Sequence, residues 1–433
     1  MSFLKVLGFD PAKHNVKTEI VAGITTFLTM AYILAVNPDI FGALEGMGMP
    51  KGAVFTATAL AAIVGTLVMS LYAKKPYALA PGLGLNAFFV YTVCLTMGYS
   101  WQFALTAVLI EGIIFIILTV TNVREAIINA IPKAMKSAVS AGIGLFIAFI
   151  GLVNAGIIVD DGGTIITLGT ITSGPALLAI VGLVITSVMM ILKVPGAMLI
   201  GIIVTAIIGI PFGITKFDGV VSNVPSVAPI FCKFEFHNIL SWDMLIVVFT
   251  FLFIDMFDTI GTVIGVSKKA NAMNPDGTIP GVKKVLMADA VATVWGAICG
   301  TSTTTTYVES ASGVAEGGRT GLTSFTVAIC FAIALFFAPV FLAIPSAATA
   351  PALILVGVMM MSSILDVDFS DFSECIPAYI CMIVMPLAYS ISDGIMLGMI
   401  SFVVLNALTG KFKKISVMMW ILAVLFILRY ILL

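Results

Sequence analysis

Residues 301–310 read Thr-Ser-Thr-Thr-Thr-Thr-Tyr-Val-Glu-Ser in a chain that is otherwise mostly apolar. Five of the first six residues are threonines, and β-branching with hydroxyl groups favours extended backbone over helix. Extended backbone at membrane depth is tolerated only where protein or a cavity satisfies its N–H and C=O groups. We therefore predict a strand inside a membrane segment, followed by a half-helix that begins at Glu309 and Ser310.

The composition around this stretch is that of a membrane protein. Of the 433 residues, 60% are hydrophobic and only 10% are charged, whereas soluble proteins carry about 25% charged residues. The apolar residues fall in blocks of roughly 20, the length of a membrane-spanning helix. We predict an all-α polytopic membrane protein with 14 or 15 transmembrane segments, in which residues 376–408 form one broken helix or two short ones.

Several functions are excluded by what the sequence lacks. The net charge of −1 provides no basic surface for nucleic acid. The two histidines, His14 and His237, lie too far apart for a zinc site. The six cysteines include no CxxC pair, and no GxxxxGK[ST] loop is present. We therefore expect no metal, no other cofactor and no ATP-driven activity.

The basic residues predict the orientation. Lys5, Lys13 and Lys17 precede the first apolar segment, and most other Lys and Arg clusters follow even-numbered segments. Because cytoplasmic loops are enriched in positive charge, the N-terminus is expected on the cytoplasmic side of the inner membrane.

A second break matches the first in the other half of the chain. Residues 80–84, Ala-Pro-Gly-Leu-Gly, interrupt the third segment, and residues 301–306 interrupt the tenth. Paired breaks at corresponding positions are typical of inverted-repeat transporters, whose binding site lies at the breaks. Each half holds seven segments, so the second half is inverted. We expect Asn86 to be the N-cap of the half-helix that follows the first break.

Charged residues inside apolar segments cost at least ~2.5 kcal/mol at the helix centre and mark candidate sites. Asp255 and Asp258 are three residues apart and so share a helix face. Gly261 and Gly265 form a small-residue ridge, on which another backbone is expected to pack. Glu111 is either a structural carboxyl group or part of the site.

These candidates suit a small, flat and nearly neutral solute. Asp258 and Glu309 with the amide of Asn86 offer partners for the N–H and C=O edges of a nucleobase. Proton uptake by a shielded carboxyl group is then expected to be linked to substrate binding.

Three motifs resemble the nucleobase/ascorbate transporter superfamily, in its adenine, guanine and hypoxanthine permease branch. They are residues 80–88 (APGLGLNAF), 257–262 (FDTIGT) and 301–314 (TSTTTTYVESASGV). The resemblance implies fourteen spans as two inverted repeats of seven, with a core domain at 19–121 and 238–345 and a gate domain at 122–216 and 346–433. It also implies proton symport of purine bases by an elevator movement of core against gate, usually as a homodimer.

The resemblance also assigns residues. It matches Asp258 to the acid of the eighth span, Glu309 to that of the tenth, and Asn86, beside Gly84, to the asparagine of the third. The expected substrate-binding residues are Asp258, Glu309, Asn86, Ser310, Phe27, Gly84 and Thr26, with Phe257 a second aromatic candidate. The expected proton carriers are Glu309, Asp258 and Asp255.

We therefore predict proton-coupled uptake of hypoxanthine, guanine and adenine across the cell membrane. One alternative is a carrier of the same fold for another solute, such as uracil, xanthine or an anion. Another is an intramembrane hydrolase that uses paired acids, although residues 82–86 (GLGLN) differ from the GxGD-type element of such proteases. A channel is a third alternative, but it requires a continuous polar lining, and the polarity here is local.

Overall fold

The computed structural model describes residues 2–121, 132–172, 174–217, 219–237, 239–270, 272–274 and 279–432. Nine of the described helices are long and apolar enough to cross a membrane, and four shorter apolar helices of 10–17 residues accompany them. The prediction of a mostly helical polytopic membrane protein is thereby confirmed. The count of fourteen spans stays a prediction.

The elements of the first half alternate between long helices and short interruptions. In chain order they are α1 (Ser2–Val6), α2 (Val16–Met30), α3 (Ile33–Phe41), α4 (Lys51–Val68), β1 (Leu79–Pro81), α5 (Leu83–Ala87), α6 (Trp101–Thr121), α7 (Lys133–Asn154), β2 (Ile158–Asp161), β3 (Ile165–Leu168), α8 (Gly174–Ile191) and α9 (Ala197–Gly209). A 3-10 turn (Gly42–Met47) extends α3, and π-helical turns (Met69–Ala73 and Phe88–Thr96) extend α4 and α5.

The second half repeats this order of long and interrupted segments. Its elements are α10 (Trp242–Lys269), α11 (Val282–Cys299), β4 (Thr304–Thr306), α12 (Ser310–Ala315), α13 (Gly321–Ala334), α14 (Ala338–Leu342), α15 (Ser346–Met361), α16 (Phe372–Leu387), α17 (Ile391–Leu408) and α18 (Val417–Leu432). Residues 376–408 therefore form two helices, α16 and α17, and not one broken helix.

The two breaks meet in the interior. Strand β1 pairs with β4 in antiparallel register, with Leu79 opposite Thr306 and Pro81 opposite Thr304. Both strands are fully buried, and each leads into a short helix. Each break therefore satisfies backbone groups of the other, as extended chain at membrane depth requires. The predicted interruptions of the third and tenth segments are confirmed.

The helices pack in two groups. In the first group, α11 packs against α4 and α6, and α13 packs against α2 and α4. In the second group, α7 packs against α15 and α16, while α8 packs against α9 and α15. A Cβ added at Gly144 would lie 2.7 Å from the Gly357 carbonyl oxygen, so α7 and α15 are in backbone contact. The predicted domain boundaries at 122 and 238 lie outside the described residues.

The connection between the halves lies against the first group. Thr56 on α4 donates a hydrogen bond to the Pro225 carbonyl at 2.7 Å. The Cys232 N–H donates to the Ile298 carbonyl at 2.9 Å, and the Glu235 N–H donates to Thr106 Oγ1 at 2.8 Å. This connection is therefore fixed to α4, α6 and α11.

The last apolar run forms a further helix, α18, which packs against α17. Its Arg429 guanidinium lies 3.2 Å from Asp393 Oδ1 at the start of α17, so the two helices are antiparallel. The rings of Phe426 and Phe249 are 5.6 Å apart and join α18 to α10. Helix α10 packs against α6 of the first group, and α17 packs against α7 of the second. Helix α18 therefore touches both helix groups.

Candidate functional site

A cavity of about 370 Å³ lies between the two helix groups. This volume falls within the range of roughly 300–1,000 Å³ that is typical of small-molecule sites. Helix α10 contributes an acid and a hydroxyl group, α7 and α15 contribute an apolar wall, and the breaks contribute a second acid. The lining residues are Gly84, Val139, Ser140, Ile143, Ile254, Asp258, Gly261, Thr262, Val308, Glu309, Val356, Met359, Met360, Ser362 and Ser363.

A smaller hollow of about 80 Å³ extends this cavity toward the paired strands. Asp258 and Glu309 line both spaces, and the hollow adds Tyr32, Gly82 and Tyr307. Both acids are half-buried. Two carboxyl groups from separate elements thus border one space, at the point where the chain leaves its helical form.

Glu309 is held by a residue of the first span. Tyr32 Oη donates a hydrogen bond to Glu309 Oε1 at 2.7 Å. Tyr32 lies between α2 and α3 and is 2% exposed. Glu309 itself is the N-cap residue of α12, and its carbonyl oxygen accepts from Ser312 Oγ at 2.6 Å. We did not predict Tyr32; the available signal was a tyrosine within the first apolar run.

Glycines give Asp258 its space. A Cβ added at Gly82 would lie 3.8 Å from Asp258 Oδ2 and 2.9 Å from Thr305 Cγ2. A Cβ at Gly84 would lie 2.8 Å from Ile143 Cγ2, so the first break touches α7 here. Our expectation for Gly261 and Gly265 was wrong: in the part of the chain that the structure describes, no heavy atom lies within 4 Å of a Cβ added at either position. Gly261 instead widens the cavity.

Asn86 and Ser310 lie behind the cavity wall and fix the two breaks. The prediction that Asn86 is an N-cap was wrong, because α5 begins at Leu83 and places Asn86 within the helix. Asn86 Oδ1 instead accepts a hydrogen bond from Ser302 Oγ, and its amide group lies 3.4 Å from the Pro81 carbonyl oxygen. Ser310 Oγ accepts from the Ala78 N–H at 3.0 Å. Both side chains therefore order extended backbone.

The first-span candidates lie outside the cavity wall. Thr26 is fully buried, and a Cβ at Gly313 would lie 2.1 Å from its hydroxyl oxygen. Thr26 therefore packs α2 against α12. The Phe27 ring meets the Phe331 ring edge-on at 5.1 Å. The side chain of Phe257 lies outside the described residues.

Three further acids lie behind β4, each with no exposed surface: Glu111, Asp255 and Asp289. The Thr259 hydroxyl oxygen lies 3.0 Å from Asp255 Oδ1 and 2.9 Å from Asp289 Oδ2. A hydroxyl group has one proton, so both contacts are hydrogen bonds only if one of these carboxyl groups is protonated. Asp255 thus faces away from the cavity, although it shares a helix with Asp258.

Strand β4 and its flanks supply donors to the same acids. The Thr306 N–H donates to Asp289 Oδ1 at 2.9 Å, and Thr303 Oγ1 donates to Glu111 Oε2 at 2.6 Å. Glu111 therefore has a structural contact with the second break. We did not assign Asp289 to the site.

Comparison with known proteins identifies the family. A family model described as the Permease family matches residues 17–397. The guanine/hypoxanthine permease PbuG of Bacillus subtilis is 45% identical over 432 residues, which cover 98% of each chain. The adenine permease AdeQ of Escherichia coli is 40% identical over 418 residues, covering 96% of this chain and 94% of that protein.

A solved structure shares the fold. The transmembrane domain of the cyanobacterial bicarbonate transporter BicA superposes with a TM-score of 0.65 over 89% of this chain and 97% of that domain. Its sequence is 17% identical, a level at which only the fold is compared. The resemblance that the three motifs indicated is confirmed by the family match. The chain belongs to this permease family, the nucleobase/ascorbate transporters, and is not an enzyme.

Proposed function

We propose that this protein carries purine nucleobases (hypoxanthine, guanine and adenine) across the cell membrane together with protons. The observation that carries the proposal is that Asp258 and Glu309, from α10 and the second break, line one cavity. Relatives that cover nearly the whole chain are named as guanine/hypoxanthine and adenine permeases, which supports a purine substrate.

The chemistry of the cavity fits a purine edge and a purine face. A carboxylate has about four lone-pair sites, so Glu309 accepts from Tyr32 and retains acceptor capacity for a substrate N–H. Asp258 offers a second acceptor across the cavity, and Thr262 offers a hydroxyl group. Ile143 and Met360 form an apolar wall against which a flat ring can pack. A bulk anion is disfavoured because it would face two acids.

The coupled proton is assigned to Glu309 and Asp258, singly or in sequence, with Asp255 as a third carrier. Supporting this assignment, both cavity acids are half-buried, where an ionised carboxyl group is poorly solvated. Asp255 also belongs to a cluster in which a proton is already required. Substrate N–H groups that reach these carboxyl groups change the balance between their charged and neutral forms.

Transport is proposed to occur by movement of a core domain against a gate domain. The core comprises residues 19–121 and 238–345, and the gate comprises residues 122–216 and 346–433. The cavity between the two helix groups supports this division, because a site at such an interface is exposed by their relative displacement. We further propose a homodimer in the inner membrane with a cytoplasmic N-terminus.

Uptake of radiolabelled hypoxanthine into proteoliposomes with an inward proton gradient tests the function. The variants Asp258→Asn and Glu309→Gln should abolish uptake while the purified protein stays monodisperse. Asp160→Asn is the matched control, because Asp160 is an exposed acid of the β2–β3 hairpin. Normal uptake by both site variants contradicts the proposal.

A competition panel separates the alternatives within the fold. Adenine, guanine, hypoxanthine, xanthine, uracil and bicarbonate are each added in excess over the radiolabelled hypoxanthine. We expect the first three to compete. Competition by uracil or bicarbonate alone would favour a carrier for another solute.

A further inference from the structure

Polar contacts join the two helix groups at one membrane face. Helices α2 and α3 run in sequence from the face where α2 begins, here named the first face, to the opposite or second face. Asp39 lies near the end of α3, and α15 begins at Ser346. Asp39 Oδ1 accepts a hydrogen bond from Ser346 Oγ at 2.6 Å, and Asp39 Oδ2 accepts from Thr349 Oγ1 at 2.6 Å.

This carboxylate is enclosed and its charge is balanced. The side chain of Asp39 is 5% exposed, and the Lys51 ammonium group lies 3.7 Å from its Oδ1. Lys51 begins α4, which belongs to the same group as α3, so the two charges move together. The hydroxyl groups of Ser346 and Thr349 belong to the other group. A displacement of one group against the other therefore breaks the two hydroxyl bonds and leaves the ion pair intact.

Asp39 and Ser346 lie at the second face, where other contacts between the groups are also found. Thr96 Oγ1, at the end of the third segment, donates to the Tyr389 carbonyl at 3.3 Å. The Asn154 amide group, at the end of α7, donates to Tyr91 Oη at 3.3 Å. Arg429 on α18 lies 3.9 Å from Asp243 at the start of α10.

The cavity lies toward the first face. Its walls include Ser140, near the start of α7, and Ser362, just beyond the end of α15, and both helix ends lie at the first face. Ser362 and Gly261 in the wall are exposed. Around the cavity the two groups thus part at the first face, and the polar contacts between them lie at the second. Away from the cavity, Gly196 at the start of α9 packs on Leu28 of α2, where an added Cβ would lie 3.1 Å from the Leu28 carbonyl oxygen.

We propose that this conformation is the end state open to the first face, and that Asp39, Ser346 and Thr349 form a latch that closes the second face. The proposal rests on the proposed function in assuming alternating access and, for the reading of the test below, a cytoplasmic first face. Opening the second face requires the latch to separate, and the freed carboxylate and hydroxyl groups then bind water. Removing the hydroxyl donors therefore favours the state open to the second face.

Labelling of a cysteine at position 261 tests the latch without any substrate. The reporter is Gly261→Cys, which lines the cavity, in a chain in which the exposed Cys232 is replaced by serine. A membrane-impermeant maleimide is applied to intact cells and to inside-out vesicles, and the ratio of the two labelling rates is measured. Parallel chains without the reporter correct for the other cysteines.

The latch variant is Ser346→Ala combined with Thr349→Val, and the matched control is Thr349→Ser, which keeps a hydroxyl donor. Loss of two hydrogen bonds to a charged acceptor should change the rate ratio by about tenfold or more toward the second face. The control Thr349→Ser should show the same ratio of labelling rates as the parent. The single variant Thr349→Val replaces the double variant if the latter does not fold.

An unchanged ratio in a folded latch variant, or a change toward the first face, overturns the proposal. Because the labelling needs no purine, a failure of the proposed substrate leaves this result interpretable. Conversely, if the parent transports hypoxanthine and the latch variant leaves the labelling ratio unchanged, the latch proposal fails and the proposed function stands.

Discussion

Tyr32 and Glu309 are 277 residues apart in the chain, yet Tyr32 Oη donates a hydrogen bond to Glu309 Oε1 at 2.7 Å. The bond joins the start of α3 to the residue that caps α12. It fixes one oxygen of the Glu309 carboxyl group and thereby orients the other oxygen in the cavity. The first span thus takes part in the site through a residue that does not carry charge.

Replacement of Tyr32 by phenylalanine should weaken substrate binding. The variant removes one hydrogen bond to a carboxylate, an interaction worth about 1.5–3 kcal/mol, so we expect KM for hypoxanthine to rise about tenfold. Uptake kinetics in proteoliposomes measure this change. Tyr430→Phe is the matched control, since the Tyr430 hydroxyl group bonds Asp393 outside the cavity wall. Equal KM values for the two variants would contradict a role of Tyr32 in substrate binding.

A larger side chain at Gly261 should fill the cavity without unfolding the protein. Among the described residues, no heavy atom lies within 4 Å of a Cβ added at Gly261, and the residue lines the cavity, so we expect the side chain of Gly261→Leu to enter the cavity. We expect a normal unfolding temperature and a loss of hypoxanthine binding, measured by calorimetry.

Gly265→Leu is the control for this substitution. Gly265 lies one turn further along α10 and does not line the cavity, and a Cβ added there also has no heavy atom of the described residues within 4 Å. Tight binding by Gly261→Leu would show that the substrate occupies another space.

Glu19 should stabilise the fold without affecting transport. Its buried carboxyl group accepts hydrogen bonds from the Thr320 N–H at 3.2 Å and from the Thr323 hydroxyl group, both at the start of α13. Glu19→Ala leaves these buried donors unpaired, which costs about 2–3 kcal/mol. We expect a lower unfolding temperature with unchanged KM for Glu19→Ala, and a smaller decrease for Glu19→Gln. A change in KM at unaltered unfolding temperature would contradict this role.

The ion pairs of Asp371, the N-cap residue of α16, with Lys411 and Lys414 should make stability depend on pH. Hydrogen bonds from Lys414, Ser373 and Lys411 hold the pKa of Asp371 below its usual range. A lowered pKa means that the stabilisation is present above the unfolded value of about 3.9 and is lost as the pH falls through the folded value.

Thermal unfolding of Asp371→Asn and the parent from pH 7 to pH 3 measures this effect. The parent should be more stable at pH 7, and the difference should shrink below about pH 4. A difference that grows on acidification would refute the assignment. Asp160→Asn serves again as the exposed control.

Local chemistry predicted the breaks well. The run of threonines at 301–306 was expected to be extended, and residues 304–306 form β4. The acids Asp258 and Glu309 were expected to meet at the breaks, and both line the cavity. In each case a residue type that is costly at membrane depth marked the position.

Long-range packing was harder to predict. The contact of Tyr32 with Glu309 depends on how two distant segments cross, and no local pattern indicates it. Asn86 follows the local rule for an N-cap, but α5 begins earlier, after Gly82, so Asn86 bonds Ser302 instead. Among the described residues, no helix packs on Gly261 or Gly265, and at Gly261 the cavity occupies this space.

The pairing of β1 with β4 has a consequence for biosynthesis. Residues 79–81 are inserted into the bilayer long before the ribosome reaches residues 304–306. Their backbone groups therefore lack their hydrogen-bond partners during this time. Unpaired backbone groups in hydrocarbon are costly, and until then the nascent chain must keep this segment near water or within the insertion machinery. A fragment that ends at residue 216, the predicted end of the first repeat, should therefore be a target for quality-control proteolysis.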